Sequence, residues 1–240
     1  MNKLLYLAIG LFLMAGEHLS AQSWSTTAIK GEGEVVRQEI TLPAIKGVDL
    51  GFSGNVILTP GPVQKIVLEG QQNILDLIKR DVVGGNWKIY FSKNVRDAKN
   101  VTVYITVPAI EKVALTGSGS VSSKGKFSGL NDLKLSLSGS GDIIFETDAR
   151  SVDAHVSGSG DIEVSGSAGS LEVTISGSGD VTASSLSVNS CEVHISGSGD
   201  AEVDVNGNLE VYISGSGDVH YIGNASVTAK VTGSGEVEKM

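Results

Sequence analysis

Leu171-Glu172-Val173-Thr174-Ile175-Ser176-Gly177-Ser178-Gly179-Asp180-Val181-Thr182-Ala183 is the stretch that decides the fold. Leu171, Val173 and Ile175 alternate with Glu172 and Thr174, the period-two pattern of a strand with one buried face. Five small or polar residues follow, and Val181 and Ala183 then resume the alternation around Thr182. The segment therefore reads as strand, corner, strand. Glycine reaches positive φ where a side chain clashes, serine can hydrogen-bond nearby backbone, and a closing aspartate can accept exposed N–H groups.

The same unit recurs along the chain. Corners begin at Thr116, Ser138, Ser157, Ser176, Ser196, Ser214 and Thr232, so successive copies lie 18 to 22 residues apart. That is the spacing of a solenoid repeat. The paired glycines are Gly139 and Gly141, Gly158 and Gly160, Gly177 and Gly179, Gly197 and Gly199, Gly215 and Gly217. Each corner is preceded by an alternating strand, such as Leu133, Leu135, Leu137 or Leu209, Val211, Ile213, and followed by a shorter one, such as Ile143 and Phe145. Variable segments such as 165–170 and 223–226 supply a second corner. One coil cannot bury its apolar face alone, so coils of about 19 residues must stack, with equivalent strands pairing in parallel.

Residues 29–115 follow the pattern less regularly. Residues 48–58 hold a degenerate strand, glycine turn and strand, and further strands are expected at 65–69, 87–91 and 101–107. Ile74, Leu77 and Ile78 fall at helical spacing, with Asn73 as a possible N-cap. Gly84-Gly85 suggests a hairpin turn. This region is expected to cap one end of the solenoid, and Glu236, Glu238 and Lys239 to discourage further strand pairing at the other.

Residues 1–21 have the order of a secretory signal peptide: Lys3, an apolar run over 4–16, then polar and small residues up to Ala21. The run is too short for a membrane span. Cleavage after Ala21 leaves about 219 residues with no second run of membrane length. The expected organisation is a leader and first strand over 22–39 and one domain over 40–240, irregular to 115 and repetitive from 116. Export leaves the periplasm, the outer surface and secretion open. Cys191 is the single cysteine, so no intramolecular disulfide can form. With 27 Asp and Glu against 18 Lys and Arg, the net charge is −9. That balance argues against nucleic acid and anionic lipid head groups as partners.

Several stretches taken together carry a family resemblance. These are Phe52-Ser53-Gly54-Asn55-Val56, residues 67–76, Trp87-Lys88-Ile89-Tyr90-Phe91, Val103-Tyr104-Ile105-Thr106-Val107-Pro108, and the repeated corner. Their order resembles the GIN-domain family, described as head domains of autotransporter-type adhesins of Gram-negative bacteria. The resemblance runs from about residue 40 to the end. It implies a right-handed parallel β-helix of the pectin-lyase type and a role in adhesion, so that with the short helix read from the spacing of Ile74, Leu77 and Ile78 the expected fold is all-β with one short helix in the N-terminal part. It brings no catalytic residues and no cofactor. No C-terminal segment reads as an outer-membrane barrel, so the chain itself is not expected to be an autotransporter.

Two chemical readings of the aspartate column, Asp142, Asp161, Asp180, Asp200 and Asp218 with Glu236, compete with a structural one. Calcium lies between turns in aspartate-rich β-rolls, although their repeat is a nonapeptide. Paired carboxylates also hydrolyse glycosides, but that requires two carboxylates in unlike environments, and near-identical corners do not provide them. The structural reading has each aspartate satisfying corner N–H groups. Gly-Ser-Gly-Asp lacks the lysine and following helix of a phosphate loop.

On the polar face before the corner, one column reads Ser136, His155, Thr174, His194, Tyr212, Lys230. Its neighbour reads Lys134, Asp153, Glu172, Glu192, Glu210, Thr228. His155 and His194 stand two coils apart, roughly 10 Å, too far to share a metal ion. His155, Thr174, His194, Tyr212 and Lys230 form the candidate contact face, for glycans or surface proteins. A scaffold without a specific ligand is the alternative, and a carbohydrate-active enzyme a further one.

Overall fold

The computed structural model describes residues 28–240. The signal-peptide expectation lies outside the described residues. Among the described residues, strands account for most of the length and the helix is a single short one, Gln72–Leu75. The architecture is an all-β solenoid of about seven turns. Asp142–Gly158, Asp161–Gly177, Val181–Gly197 and Ala201–Gly215 each run one whole coil and pair in parallel with the next.

These strands are longer than alternation alone indicates, because the second expected corner is not a break. Around residues 165–170 the chain bends while the ladder continues, with Ser165 through Ala168 paired to Glu146 through Ala149. Small residues permit this: the Gly166 Cα hydrogen points where a Cβ would meet the Thr147 carbonyl. Each of these four coils thus has one sharp corner and one hydrogen-bonded bend, whereas in the last coil residues 223–225 separate Val219–Ile222 from Ser226–Gly233, with Gly223 at φ 91°. Relative to the coil before it, Val181–Gly197 absorbs its extra residue as a bulge between Thr182 and Ser185, opposite Glu163–Ser165.

The inward columns form one core. Leu171, Val173, Ile175, Ile162 and Val164 are buried in one coil, and their equivalents in the coils on either side. Phe127 and Phe145 stack with ring centroids 5.3 Å apart. Thr147, the one buried hydroxyl in the repeat, donates to the Phe127 carbonyl at 2.9 Å.

Chain order and stacking order differ at the N-terminal end. Gly47–Leu50 pairs with both Asn86–Ile89 and Lys112–Leu115, and Asn55–Pro60 with both Thr102–Val107 and Ser120–Ser123. The chain therefore lays down the second coil, goes back to build the first, and then moves on to the third. Between the two, Lys65–Gln71 lies antiparallel beside Thr102–Val107 and carries Val35–Ile40 antiparallel on its other edge. Trp87, Ile74, Leu75 and Ile78 fill the end of the core, and the Trp87 indole N–H donates to the Lys79 carbonyl at 2.9 Å. The cap is as expected. The helix is shorter than its pattern suggested, and Asn73 does not cap it. Its side chain instead bonds the Lys30 carbonyl and the Glu32 N–H, tying down the N-terminal segment. Gly84 and Gly85, at φ 59° and 77°, turn the hairpin between Val82–Val83 and Asn86–Ile89.

Candidate functional site

The corners separate two reasons for glycine. Gly177 and its equivalents hold positive φ, 138° here, and a Cβ on Gly177 would also stand 2.3 Å from the Gly158 carbonyl oxygen, so conformation and contact both act there. Gly179 has no such φ. A Cβ on it would stand 2.1 Å from the Gly160 carbonyl oxygen, so here contact between coils, not conformation, requires glycine. The middle serine contributes its backbone N–H: Ser178 donates to the Gly158 carbonyl at 2.9 Å, and Ser198 and Ser216 repeat the bond.

From Asp161 onward the aspartate column closes each corner in the same way, whereas at Asp142 the Asp161 N–H donates instead to the Gly141 carbonyl at 3.2 Å. The Asp180 N–H donates to Asp161 Oδ1 at 3.0 Å, Asp200 to Asp180 at 2.8 Å, Asp218 to Asp200 at 2.7 Å, and Glu236 to Asp218 at 2.8 Å. Each carboxylate thus serves the next coil's backbone. Among the described residues, no group of three or more His, Cys, Asp or Glu side chains is arranged to hold a metal ion.

The register brings the contact-face residues into one line: Ser136, His155, Thr174, His194, Tyr212 and Lys230 are successive partners across the coils. Sequence reasoning read this line as separate side chains and missed a ring pair. The His194 and Tyr212 rings stack with centroids 4.8 Å apart and planes within 6° of parallel. Adjacent repeats of one outward position were the signal for it, since a parallel ladder sets neighbours one strand spacing apart. The two inner ring faces cover each other, and both residues remain partly exposed. Each ring also bonds the acid two residues earlier: His194 Nε2–H donates to Glu192 at 2.8 Å, and the Tyr212 hydroxyl to Glu210 at 3.3 Å. The Glu210 charge, with that hydrogen bond, raises the Tyr212 pKa above the ordinary value.

A groove of about 370 Å³ runs beside the stack, between it and the Ser176, Ser196 and Ser214 column. On the same outward face, nearer the start of these strand segments, a second groove of about 360 Å³ carries Asp153, Glu172, Glu192 and Glu210. Lys134 neutralises its first carboxylate at 2.7 Å. Cys191 lies inward as expected, and burial pushes its thiol up to about 12.

The family model described as "putative auto-transporter adhesin, head GIN domain" matches residues 44–225. The chain belongs to the GIN-domain family. Among solved structures, an adhesin-titled protein of Bacteroides fragilis NCTC 9343 is 21% identical with a TM-score of 0.84, covering 89% of this chain and 100% of its own. A protein of Parabacteroides distasonis ATCC 8503 titled as lipid-binding is 19% identical with a TM-score of 0.76, covering 89% and 99%. An adhesin-titled protein of Parabacteroides merdae ATCC 43184 is 20% identical with a TM-score of 0.68, again covering 89% and 99%. At these identities the structures establish the shared fold of the GIN domain. Among curated proteins, none matches this chain.

Proposed function

We propose that this chain is an exported, non-catalytic recognition module of the adhesin type, acting at the cell envelope or surface through its outward column. The observation that carries this reading is the His194–Tyr212 stack, set beside a groove and backed by Glu192 and Glu210. Ring edges, a phenol, an imidazole and the neighbouring Lys230 offer hydrogen-bonding and charged contacts to a glycan or protein. The column can vary without disturbing the core, because it points away from it. Membership of an adhesin-described family supports the same reading. The repeated use of aspartates as backbone acceptors favours architecture over catalysis.

A glycan and extracellular-matrix array tests the proposal, using the mature chain and the His194→Ala/Tyr212→Ala variant. Discrete hits weakened in the variant are expected. Hits unaffected by the variant would remove this face from the reading, and no hits at all would favour a scaffold. Cell fractionation tests the location.

A further inference from the structure

The stack of glycine corners ends, toward the N-terminal cap, in something different. In the second coil the corner is Phe52-Ser53-Gly54, and in the first it expands into a loop over 91–101. The Phe52 and Phe91 rings stack there with centroids 4.1 Å apart. Gly54 leaves room for this, since a Cβ on it would stand 2.4 Å from the Phe52 ring. The loop holds Asp97 at φ 51°, the one non-glycine residue with positive φ among those described. Aspartate visits this left-handed conformation more readily than most side chains, and the contacts around the loop hold it there.

Ile29 and Lys30 pair with Val95 and Arg96, the Lys99 N–H donates to Gln71 Oε1 at 2.9 Å, and the Lys99 ammonium meets Glu34 at 3.4 Å. The result is a cleft of about 330 Å³ between the phenylalanine pair and the Arg96–Val101 backbone, lined by Arg96, Asp97 and Lys99. Lys99 is shared with Glu34, so among the described residues Arg96 is the cleft cation whose side chain has no acidic partner.

Charge points to what it takes. The net −9 is a sum of unlike halves: residues 28–126 hold 13 Lys and Arg against 9 Asp and Glu, whereas residues 127–240 hold 4 against 17. The cleft lies in the positive half. An acidic solenoid repels an anionic ligand from most of the surface and leaves the basic cap as its landing place.

We infer that this cleft binds an anionic glycan, a sugar carrying a carboxylate or sulfate group. The apolar ring edges of Phe52 and Phe91 contact the sugar, and Arg96 with Lys99 receives the anion. The site rests on the recognition reading above but uses different residues, so the two can fail separately.

Oligogalacturonate and a sulfated dextran oligomer are the carboxylate and sulfate probes, with neutral dextran as control, titrated calorimetrically into the mature chain. Arg96→Glu is the test variant. Lys124→Glu makes the same charge change on an exposed lysine at the other end of strand Ser120–Ser123 from its corner. Binding of one or both anionic probes is expected, weakening about tenfold or more in Arg96→Glu as a charge-assisted contact becomes repulsive. His194→Ala/Tyr212→Ala should leave it unchanged. Which probe binds distinguishes carboxylate from sulfate. Binding to neither anionic probe, equal binding to neutral dextran, or equal loss in Lys124→Glu each overturns the assignment. Equal melting temperatures for the two charge variants ensure that a loss is not unfolding.

Discussion

Replacing Gly179 by alanine adds one methyl group where two coils touch. The new Cβ would lie 2.1 Å from the Gly160 carbonyl oxygen and 2.9 Å from Val156 Cγ1. Restoring an ordinary contact of 3.4 Å requires the corner to open by about 1.3 Å. Three hydrogen bonds span that gap: Ser178 N–H and Gly179 N–H to the Gly158 carbonyl, at 2.9 and 3.1 Å, and Asp180 N–H to Asp161 Oδ1 at 3.0 Å. Losing two of them costs about 2 kcal/mol, and overpacking against Val156 adds about 2 kcal/mol. The expected destabilisation is about 4 kcal/mol. Gly129→Ala is the matched control: Gly129 has φ 72° but nothing within 4 Å of its would-be Cβ, so it carries conformational strain without contact, about 1–2 kcal/mol. Equilibrium urea unfolding followed by circular dichroism reads both. With a slope of about 2.5 kcal/mol per molar, Gly179→Ala lowers the midpoint by about 1.5 M. If the two variants fall within about 1 kcal/mol of each other, contact between coils is not what requires glycine there, and the reasoning fails.

Other expectations follow from single contacts. Asp200→Ala removes the acceptor of the Asp218 N–H and should destabilise by about 1 kcal/mol in urea, whereas Asp200→Asn, which retains an acceptor oxygen, should cost less than half of that. Calcium against chelator should leave the melting temperature unchanged, since each aspartate from Asp161 to Asp218 already accepts the next coil's N–H; a rise with calcium would restore the metal reading. Cys191, with a pKa near 12, should stay unlabelled by a thiol reagent near neutral pH until urea unfolds the chain, and fast labelling of the native protein would contradict its placement. In an ultraviolet pH titration Tyr212, identified by difference against Tyr212→Phe, should ionise later than an ordinary tyrosine, and Glu210→Gln should bring it earlier. The sign follows from linkage: a raised phenol pKa favours the native state below the folded pKa and fades as pH rises from the ordinary tyrosine value through it.

What could be read from the sequence was whatever the repeat made local. Alternation at Leu171, Val173 and Ile175 named the buried face, and the corner named the periodicity, because both depend on neighbours a few residues away. The second corner at 165–170 was legible as a turn, but the ladder running through it was not. Serine and glycine there look like a loop, while their actual partners lie one coil away at 146–149. The same limit hid the cap's order of assembly: nothing local to Gly47–Leu50 says that its lower neighbour, Asn86–Ile89, comes later in the chain. Asn73 was read for a local role and found a distant one. For the candidate site, the column was legible from register. The ring pair needed the further step of asking which residues of one column are adjacent. The net charge concealed its own division, because a sum discards position.

A periodic backbone also constrains where specificity can arise. Each coil places its inward residues against the coil before and after, so core positions are fixed by stacking, and corner positions by contacts such as Gly179 against Gly160. Identical environments repeated along an axis give identical chemistry, which suits scaffolding and suits a discriminating site poorly. Discrimination needs an exception. The chain has two prominent ones: a place where the outward column becomes aromatic, His194–Tyr212, and a place where the corner itself is replaced by Phe52, Phe91 and a cationic loop. The first lies among carboxylates and the second in the basic cap, so the two suit unlike ligands or unlike parts of one ligand. If the array and the titrations select the same class of glycan while each set of variants weakens only its own contact, the chain carries two sites for one class of ligand. If they select different ones, the solenoid is a spacer that keeps two recognition sites of opposite charge apart.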